Sequence, residues 1–298
     1  MKNNHEKTVS TKIKNSIFYF LLFILPKNFI SLLVGKILSV AWPKSINLFL
    51  LRNFIKIFSI NSNEAEKNIE DYESIQEFFC RRLGEGTRKI SQKSNVVISP
   101  CDGVVSEFGL IENGRLLQVK GKYYQLSELL GCPKRAAHFE GGHFCTIYLS
   151  PRDYHRFHVP IDGCIRETIY IPGTLWPVNR WAVKNIKNLF CINERIISLF
   201  EEQQRAKSLA CVAVGATMVG KIKLQYCSLE SNSKQKLTSI KHEGENQVRV
   251  NKGQELGRFM FGSTIVLLFE KGLISGFEHS SGNIKMGEVL ARLAENLE

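Results

Sequence analysis

The Gly262–Ser263 bond is the first candidate for chemistry in this sequence. It stands in the tetrapeptide Phe261-Gly262-Ser263-Thr264, directly before the apolar run at 265–269. Glycine permits strained backbone geometry and, having no side chain, leaves its carbonyl open to attack by the neighbouring hydroxyl. The bond is therefore a candidate for cleavage by its own serine, although an ordinary turn before a strand has the same pattern.

An aspartate and two histidines upstream of this bond provide the other groups that self-cleavage requires. Asp102 precedes a glycine, and His155 and His158 lie in the polar run at 150–160. The reaction needs a nucleophile, a base that deprotonates it and a group that holds the base in the correct tautomer. Ser263, His158 and Asp102 are the candidates for these three roles, and their order along the chain does not constrain the fold. Taken singly, an aspartate before a glycine is more often a turn residue.

Several segments, in order along the chain, resemble those of the phosphatidylserine decarboxylase proenzymes, a pyruvoyl-dependent family, and among them the bacterial long-form type. The resemblance covers most of the sequence. Phe261 stands where the family usually has a smaller aliphatic residue, but no departure removes a candidate catalytic group. The segments that carry the resemblance are Glu77-Phe78-Phe79, Asp-Gly-Val-Val at 102–105, Ser-Pro-Arg-Asp-Tyr-His-Arg-Phe-His at 150–158, Tyr-Ile-Pro-Gly at 170–173, Asn193-Glu194-Arg195, Val-Gly-Ala-Thr at 214–217 and the stretch at 252–259.

The resemblance implies how the candidate residues act. Ser263 attacks the carbonyl of Gly262, and the resulting ester eliminates and hydrolyses to leave a pyruvoyl group at residue 263. The product is a β chain that ends at 262 and an α chain at 263–298. His158 takes the hydroxyl proton, and Asp102 orients and stabilises the imidazolium. The pyruvoyl carbonyl then forms a Schiff base with phosphatidylserine and accepts the electrons released with carbon dioxide, so that phosphatidylethanolamine is the product. No metal or diffusible cofactor is implied.

Further side chains of the 150–158 segment are candidates for contact with the substrate. By resemblance, His155 returns a proton to the substrate carbon after decarboxylation, although a supporting histidine is the alternative. In an extended segment, residues 155 and 158 point to opposite faces, so both reach the substrate only if the chain bends. Arg152 and Arg156 are candidates for the anionic headgroup, and a salt bridge with Asp153 or another acid is the alternative.

The first part of the chain has the pattern of a membrane-association region. Residues 29–42 and 45–58 predict two apolar helices separated by Pro43, and basic residues punctuate both. This pattern favours an anionic membrane surface, with a basic helical hairpin packed on its own domain as the alternative. The apolar stretch at 17–25 is shorter than the roughly 20 residues of a membrane span. No small-x-small cleavage site follows it, as a secretory signal requires.

These patterns predict the organisation of the chain. We expect a membrane-association region at 1–62 and a catalytic domain at 63–298. The protein is then a peripheral membrane protein on the cytoplasmic face of the cell membrane, with phosphatidylserine and the anionic surface as partners. The cleaved α and β chains are expected to remain together as a heterodimer. The family resemblance implies that two such heterodimers associate further.

Composition limits the other classes of function. The chain has 298 residues and a formal net charge of +12, but it lacks zinc-finger spacing, a basic region with heptads and an aromatic RNA-binding signature. We therefore expect no nucleic-acid partner. Eight cysteines without a Cys-x-x-Cys pair argue against a thiolate zinc site and are typical of the reducing cytoplasm. The glycine-containing segment at 215–220 lacks the Gly-Lys-Ser/Thr ending of a phosphate loop.

Local patterns in the catalytic part predict an α+β fold. Ser74 and Glu77 have the spacing of a capping box, which predicts a short helix that begins at Ser74. Beyond residue 96, short apolar runs broken by Gly and Pro predict a β-rich core, including strands at 144–149, 195–200 and 211–214. The polar residues 228–247 predict an exposed loop or hairpin tip. The spacing of apolar residues at 286–297 predicts a closing helix. Both chains are expected to complete this core after cleavage.

Two other functions remain open at this point. A serine hydrolase with the same Asp, His and Ser would keep an intact chain with a reactive Ser263. A membrane-bound scaffold that has lost processing would function unchanged after Ser263→Ala, although the retained triad residues argue against it.

Overall fold

β-strands dominate the part of the chain that the structure describes. The structure, a computed structural model, describes residues 26–217, 221–232, 235–260 and 263–295. Within these ranges it contains seven α-helices and seventeen strands, which makes the fold α+β, as the sequence predicts. The apolar stretch at 17–25 and the residues Phe261, Gly262 and Met218 lie outside the described residues.

The three helices predicted in the first third of the chain are present, although the first ends at Leu38 and not at Trp42. Two longer helices flank Pro43, and a short one begins after Ser74, whose hydroxyl accepts a hydrogen bond of 3.1 Å from the amide of Glu77. Single 3-10 turns lie at Ser62–Glu64, Ile69–Asp71 and Gly244–Asn246. The helices are α1 (Lys27–Leu38), α2 (Lys44–Phe58), α3 (Ile75–Phe79), α4 (Leu126–Leu130), α5 (Pro133–His138), α6 (Arg180–Asn185) and α7 (Leu189–Ile192).

The strands form one large sheet and three small ones. They are β1 (Val96–Ile98), β2 (Gly103–Leu110), β3 (Arg115–Val119), β4 (Lys122–Gln125), β5 (His143–Leu149), β6 (Arg156–His158), β7 (Gly163–Ile171), β8 (Arg195–Glu202), β9 (Ser208–Gly215), β10 (Ile222–Leu224), β11 (Thr238–Lys241), β12 (Val248–Val250), β13 (Glu255–Phe259), β14 (Ser263–Phe269), β15 (Ile274–Phe277), β16 (Gly282–Ile284) and β17 (Val289–Leu293). The small sheets have the orders β1-β17-β15, β10-β13-β6 and β3-β4.

Strand β14 lies in the middle of the large sheet. The nine-stranded sheet has the order β11-β7-β8-β9-β14-β5-β2-β16, with β12 also paired to β7. β14 pairs with β9 on one side and with β5 on the other over its whole length. All of its residues are buried. The apolar run after Ser263 is therefore a central strand covered on both faces, which explains why it has no polar alternation.

Alternate residues of β14 face two different cores. Ile265, Leu267 and Phe269 pack in one hydrophobic cluster, together with residues of β6, β10 and β13. Val266 and Leu268 pack in the other, together with residues of α2, α3 and α4. Because side chains alternate along a strand, Ser263 lies on the first face and Thr264 on the second. We call these two faces of the large sheet the serine face and the threonine face.

The closing helix predicted at 286–297 is wrong. The chain there forms β17 (Val289–Leu293), which pairs with β1 on one side and with β15 on the other. Leu290, Ala291 and Leu293 are buried in this small sheet. Apolar residues spaced as in a helix can also belong to a short strand that is buried on both faces. The two neighbouring strands provide hydrogen bonds for the backbone of β17. The polar segment at 228–247 likewise contains an edge strand, β11.

Helices α1 and α2 expose large apolar side chains. The exposed residues of the two helices are Phe29, Leu33, Ile37, Ile46, Phe49, Ile57 and Phe58, and Val40 and Trp42 are exposed in the connection between them. The opposite side of α2 is buried in the core through Leu51 and Phe54. Among the helices that the structure describes, none combines the length and the hydropathy of a membrane span.

Candidate active site

Ser263 is the first residue of the central strand. It lies opposite Gly215 of β9 and Leu149 of β5. The side chain is fully buried, and Oγ has no hydrogen-bond partner among the residues described. A buried hydroxyl without a partner is uncommon in native proteins and requires an explanation. The other side of the predicted cleavage bond, Gly262, lies outside the described residues.

Asn193 holds the strand end that lies opposite Ser263. Its Nδ2 donates hydrogen bonds of 2.9 Å to the carbonyls of Gly215 and Trp176, and its Oδ1 accepts one of 2.9 Å from the amide of Trp176. Gly215 also donates from its amide to the carbonyl of Glu194 at 2.8 Å. The sequence placed Asn193-Glu194-Arg195 in the family resemblance but gave it no role. The signal available in the sequence was a polar side chain, Asn193, just before the strand predicted at 195–200.

Asp102 is a buried carboxylate with several donors. Arg88 donates to it from Nε at 2.9 Å and from Nη2 at 2.5 Å, and the amide of Met286 donates at 2.9 Å. The ammonium group of Lys285 lies 3.3 Å from Oδ2. Burial alone would raise the pKa of Asp102, but the hydrogen bonds from Arg88 and Met286 outweigh it and lower the pKa. Asp102 is therefore ionised at neutral pH. The sequence gave no indication of Arg88 as its partner.

Both ring nitrogens of His158 have partners. Nδ1 lies 2.8 Å from the carbonyl of Gly253, which only accepts, so this nitrogen carries the proton. Nε2 therefore accepts a hydrogen bond of 3.0 Å from the hydroxyl of Tyr154. Burial lowers the pKa of His158, so the ring is neutral at neutral pH. Tyr154 is a contact that the sequence analysis missed.

Asp102 and His158 lie in adjacent segments, but no hydrogen bond joins their side chains. The amide of His158 donates to the carbonyl of Pro100 at 2.7 Å, which places the two chain segments side by side. Asp102 and Tyr154 also line one cavity of about 240 Å³. That Asp102 orients His158 therefore stays a prediction. The side chain that forms a hydrogen bond with His158 is Tyr154.

His155 is fully buried next to the strand that pairs with β14. Its Nε2 donates a hydrogen bond of 3.0 Å to the carbonyl of Ser150, which follows the residue opposite Ser263. The ring stacks on Phe79 with centroids 3.9 Å apart, while Nδ1 has no partner in the described part of the chain. Burial, followed by the positive charge of Arg81, lowers the pKa of His155 to about 3. The ring is therefore neutral at neutral pH.

The two arginines of the same segment have different surroundings. Arg156 is buried, and its Nη1 donates to both carboxylate oxygens of Glu255 at 2.9 and 2.8 Å. The salt-bridge alternative thus describes Arg156. Arg152 is exposed, with Nε 4.0 Å from the carboxylate of Asp153, and it lines both the 240 Å³ cavity and a larger cavity of about 870 Å³.

The larger cavity lies against the threonine face of the sheet. Thr264, Thr146 and Tyr148 contribute to its lining from β14 and β5. The described residues thus contain a buried hydroxyl on the serine face, a neutral His155 bonded to the carbonyl of Ser150, a neutral His158 in β6 and a cavity on the threonine face. In the four ranges that the structure describes, no three His, Cys, Asp or Glu side chains are grouped as metal ligands.

Comparison with known proteins identifies relatives over most of the chain. A family model described as phosphatidylserine decarboxylase matches residues 75–292. A phosphatidylserine decarboxylase proenzyme from Myxococcus xanthus is 42% identical over 258 residues, which cover 87% of this chain and 91% of the relative. The proenzyme from Anaeromyxobacter sp. is 41% identical over 261 residues, covering 87% and 92%. The proenzyme from Shewanella baltica is 38% identical over 281 residues, covering 92% and 95%.

Proposed function

This chain belongs to the phosphatidylserine decarboxylase family, and we propose that it is a self-cleaving proenzyme whose mature form converts phosphatidylserine to phosphatidylethanolamine and carbon dioxide. The matched residues 75–292 include Asp102, His155, His158 and Ser263. The observation that carries the proposal is the position of Ser263. It is the buried first residue of the central strand, and its hydroxyl has no partner among the described residues.

Self-cleavage begins at the hydroxyl of Ser263. Oγ attacks the carbonyl carbon of Gly262, the bond from that carbon to the nitrogen of Ser263 breaks, and the nitrogen takes up a proton. The product is an ester between the two residues. Loss of the α-proton of Ser263 then expels Gly262 as a carboxylate, and water replaces the nitrogen, which leaves as ammonia. Residue 263 becomes a pyruvoyl group at the start of the α chain.

His158 is suited to take the proton of Ser263. Its Nδ1 is protonated and held by the carbonyl of Gly253, so Nε2 has the free electron pair. The hydroxyl of Tyr154 is hydrogen-bonded to Nε2, and it can relay the proton from Ser263 to His158. Asp102 acts through its negative charge, which favours the imidazolium without direct contact.

Ser263 also fits the precursor of the pyruvoyl group. It is a serine at the start of a strand, and a cut on its amino side turns it into a chain end without removing β14 from the sheet. The group supplies an electrophilic carbonyl that accepts the electrons released as carbon dioxide leaves. His155 enters this reaction as a neutral ring, so Nδ1 must accept a proton before it returns one to the substrate carbon.

Strand pairing supports a stable heterodimer after cleavage. The α chain would contain β14, which pairs with β5 and β9 of the β chain. It would also contain β16 and β17, which pair with β2 and β1. These pairings hold the two chains together without the peptide bond. A further dimer of this heterodimer remains an expectation from the family resemblance.

The exposed apolar side chains of α1 and α2 support membrane association through residues 1–62. Phe29, Phe49 and Ile57 are among the most exposed large apolar side chains of the described residues. Such a surface is a typical interaction site, and the basic residues Lys36 and Lys56 favour an anionic one. We propose that the protein is peripheral to the cytoplasmic face of the cell membrane and that residues 63–298 form the catalytic domain.

Intact-protein mass spectrometry of the wild type, Ser263→Ala and Ser275→Ala tests the proposal. We expect the wild type and Ser275→Ala, whose serine is exposed, to split between Gly262 and Ser263 with a pyruvoyl mass at the start of the smaller chain. Ser263→Ala should remain whole and release no carbon dioxide from phosphatidylserine in detergent micelles. An intact wild type with a reactive Ser263 would contradict the proposal and favour a serine hydrolase.

A further inference from the structure

The 870 Å³ cavity has the size and the walls of a ligand site. Its volume lies in the range of roughly 300–1,000 Å³ that is usual for small-molecule sites. Tyr148, Val178 and Phe190 form part of an apolar wall. Ile57 and Phe58, at the end of α2, also line the cavity, and they are 73% and 37% exposed. The cavity therefore reaches the apolar helix surface that is proposed to face the membrane.

Two buried hydroxyls without a hydrogen bond of normal geometry lie in the wall of this cavity. They belong to Thr146 and Thr264, which are 2% and 1% exposed. Neither Oγ1 forms a hydrogen bond of normal geometry among the described residues, and the buried hydroxyl of Tyr124, which also lacks one, is a neighbour of Thr146. In the sheet, Thr264 lies opposite Tyr148 and Val266 lies opposite Thr146, so the two threonines are diagonal neighbours on one face. Unsatisfied buried hydroxyls are destabilising unless a ligand or water completes them.

Basic side chains line the same cavity. Arg180 and Lys184 are one turn apart on α6 and are both exposed. In the part of the chain that the structure describes, neither forms an ion pair. Arg152 lies 4.0 Å from Asp153 and adds a third cation. Of the residues that the structure describes, Glu107 is the acidic one in the lining of the cavity. The lining therefore has an excess of positive charge.

We infer that this cavity binds the phosphoserine headgroup of the substrate, that Arg180 and Lys184 hold its phosphodiester, and that the hydroxyls of Thr146 and Thr264 donate to its carboxylate. The inference rests on the proposed function. The acyl chains leave over Ile57 and Phe58 towards the bilayer. Arginine and lysine are common ligands of phosphate, and a hydroxyl pair discriminates against an analogue that lacks the matching acceptor.

Chemistry at residue 263 is compatible with a substrate on the threonine face. Thr264 follows residue 263 directly, and the amine and the carboxylate of the serine headgroup share one carbon atom. A hydroxyl that holds the carboxylate therefore keeps the amine near the new chain end. Cleavage frees the α-carbon of residue 263 on the side where Gly262 was attached, so it can be reached from this face. The product lacks the carboxylate and leaves both hydroxyls unpaired, which favours its release.

The phosphate contacts are tested with fully processed protein in neutral detergent micelles. Arg180→Ala combined with Lys184→Ala should raise the KM for phosphatidylserine about tenfold or more, with self-cleavage and kcat little changed, because each charged contact is lost in ground and transition state alike. Lys187→Ala is the matched control, since Lys187 is a nearby exposed cation that does not line the cavity. It should behave as the wild type.

The carboxylate contact is tested with two water-soluble inhibitors, glycerophosphoserine and glycerophosphoethanolamine. Thr146→Val should reduce the preference for glycerophosphoserine by about tenfold, and Thr146→Ser, which keeps the hydroxyl, should retain it. Soluble inhibitors exclude weaker membrane binding as the cause.

The outcomes distinguish the inference from the function on which it rests. A wild type that neither cleaves itself nor releases carbon dioxide would overturn the proposed function. An active wild type whose KM and inhibitor preference survive all of these substitutions would overturn the inference alone and place the headgroup elsewhere, with the 240 Å³ cavity at Lys285 as the next site to test.

Discussion

The serine face and the threonine face of the large sheet begin at adjacent residues but have different surroundings. Ser263 faces a core closed by the small sheet β10-β13-β6, where its hydroxyl is fully buried. Thr264 faces the 870 Å³ cavity, which reaches the apolar end of α2. One strand thus separates a closed environment, suited to cutting the chain, from an open one, suited to receiving a lipid.

Under the proposed function, residue 263 serves two reactions, and the difference between the faces matches their different needs. Excluding water from Ser263 favours attack on the Gly262 carbonyl over hydrolysis by solvent, because charges and dipoles act more strongly in a dry site. The later reaction needs a large substrate, for which the 870 Å³ cavity on the threonine face has room. The comparison predicts that substitutions near the closed face affect stability and cleavage, whereas those on the open face affect binding.

The largest effect is expected when Asp102 is removed. Among the described residues, Asp102→Ala leaves the buried guanidinium of Arg88 with Glu64 as its remaining acidic partner. Breaking a buried ion pair typically costs about 3–5 kcal/mol, and Glu64 places the expected loss near the lower value. Self-cleavage should also stop. Urea unfolding measures the first effect and gel electrophoresis the second.

Glu278→Gln is the control for Asp102→Ala. Glu278 pairs with Arg292 at an exposed site, where such pairs contribute about 0–1 kcal/mol. If the two substitutions changed the free energy of unfolding equally, the ion pair between Arg88 and Asp102 would not be the buried contact that the structure shows.

Asn193→Ala is expected to have the second-largest effect. It removes three hydrogen bonds to Trp176 and Gly215, including the bond to the buried amide of Trp176, which should cost about 3 kcal/mol, while the carbonyl of Trp176 keeps a bond of 3.4 Å from the amide of Thr217. Because Gly215 lies opposite Ser263, cleavage should slow as well. Asn185→Ala, which removes one exposed bond to the carbonyl of Trp181, should cost less than about 0.5 kcal/mol. Urea unfolding and the rate of chain cleavage measure these effects, and normal cleavage in Asn193→Ala would contradict a positioning role.

The pH dependence of stability should reveal the buried neutral ring of His155. Its folded-state pKa is lowered to about 3 from the ordinary 6.5. Between these values the unfolded chain binds a proton that the folded protein does not, so stability is highest above pH 6.5 and falls as the pH drops. From pH 7 to pH 5 the loss attributable to His155 is about 2 kcal/mol.

His155→Gln isolates this contribution. The variant lacks the titrating ring, so the difference in unfolding free energy between wild type and variant should shrink by about 2 kcal/mol from pH 7 to pH 5. Urea titrations at several pH values measure it. Parallel stability curves for the two proteins would show that His155 is accessible to protons in the folded state.

Sequence patterns predicted the elements but not the contacts between distant side chains. The strand after Ser263 and the helix after Ser74 follow from local signals, namely an apolar run and a capping residue. Arg88 lies in an irregular segment, and nothing in the pattern there links it to Asp102. The closing helix was wrong because β17 depends on two partner strands that only the folded chain provides. The partners of His158 likewise come from chain folding, and its relation to Asp102 stays a prediction.

The smallest effect is expected on the threonine face. Thr146→Val removes a buried hydroxyl that forms no hydrogen bond of normal geometry among the described residues, so the free energy of unfolding should change by less than about 1 kcal/mol, or rise. The same substitution at Thr168 removes a hydroxyl bonded to Tyr226 and His242 at 2.8 and 2.9 Å, and it should cost about 2 kcal/mol. Both threonines are buried in strands of the large sheet. The two substitutions are therefore matched in burial and differ in whether the hydroxyl has hydrogen-bond partners. Urea unfolding without lipid compares them. An equal loss at both positions would mean that the hydroxyl of Thr146 is already satisfied, and the open face would then resemble the closed one.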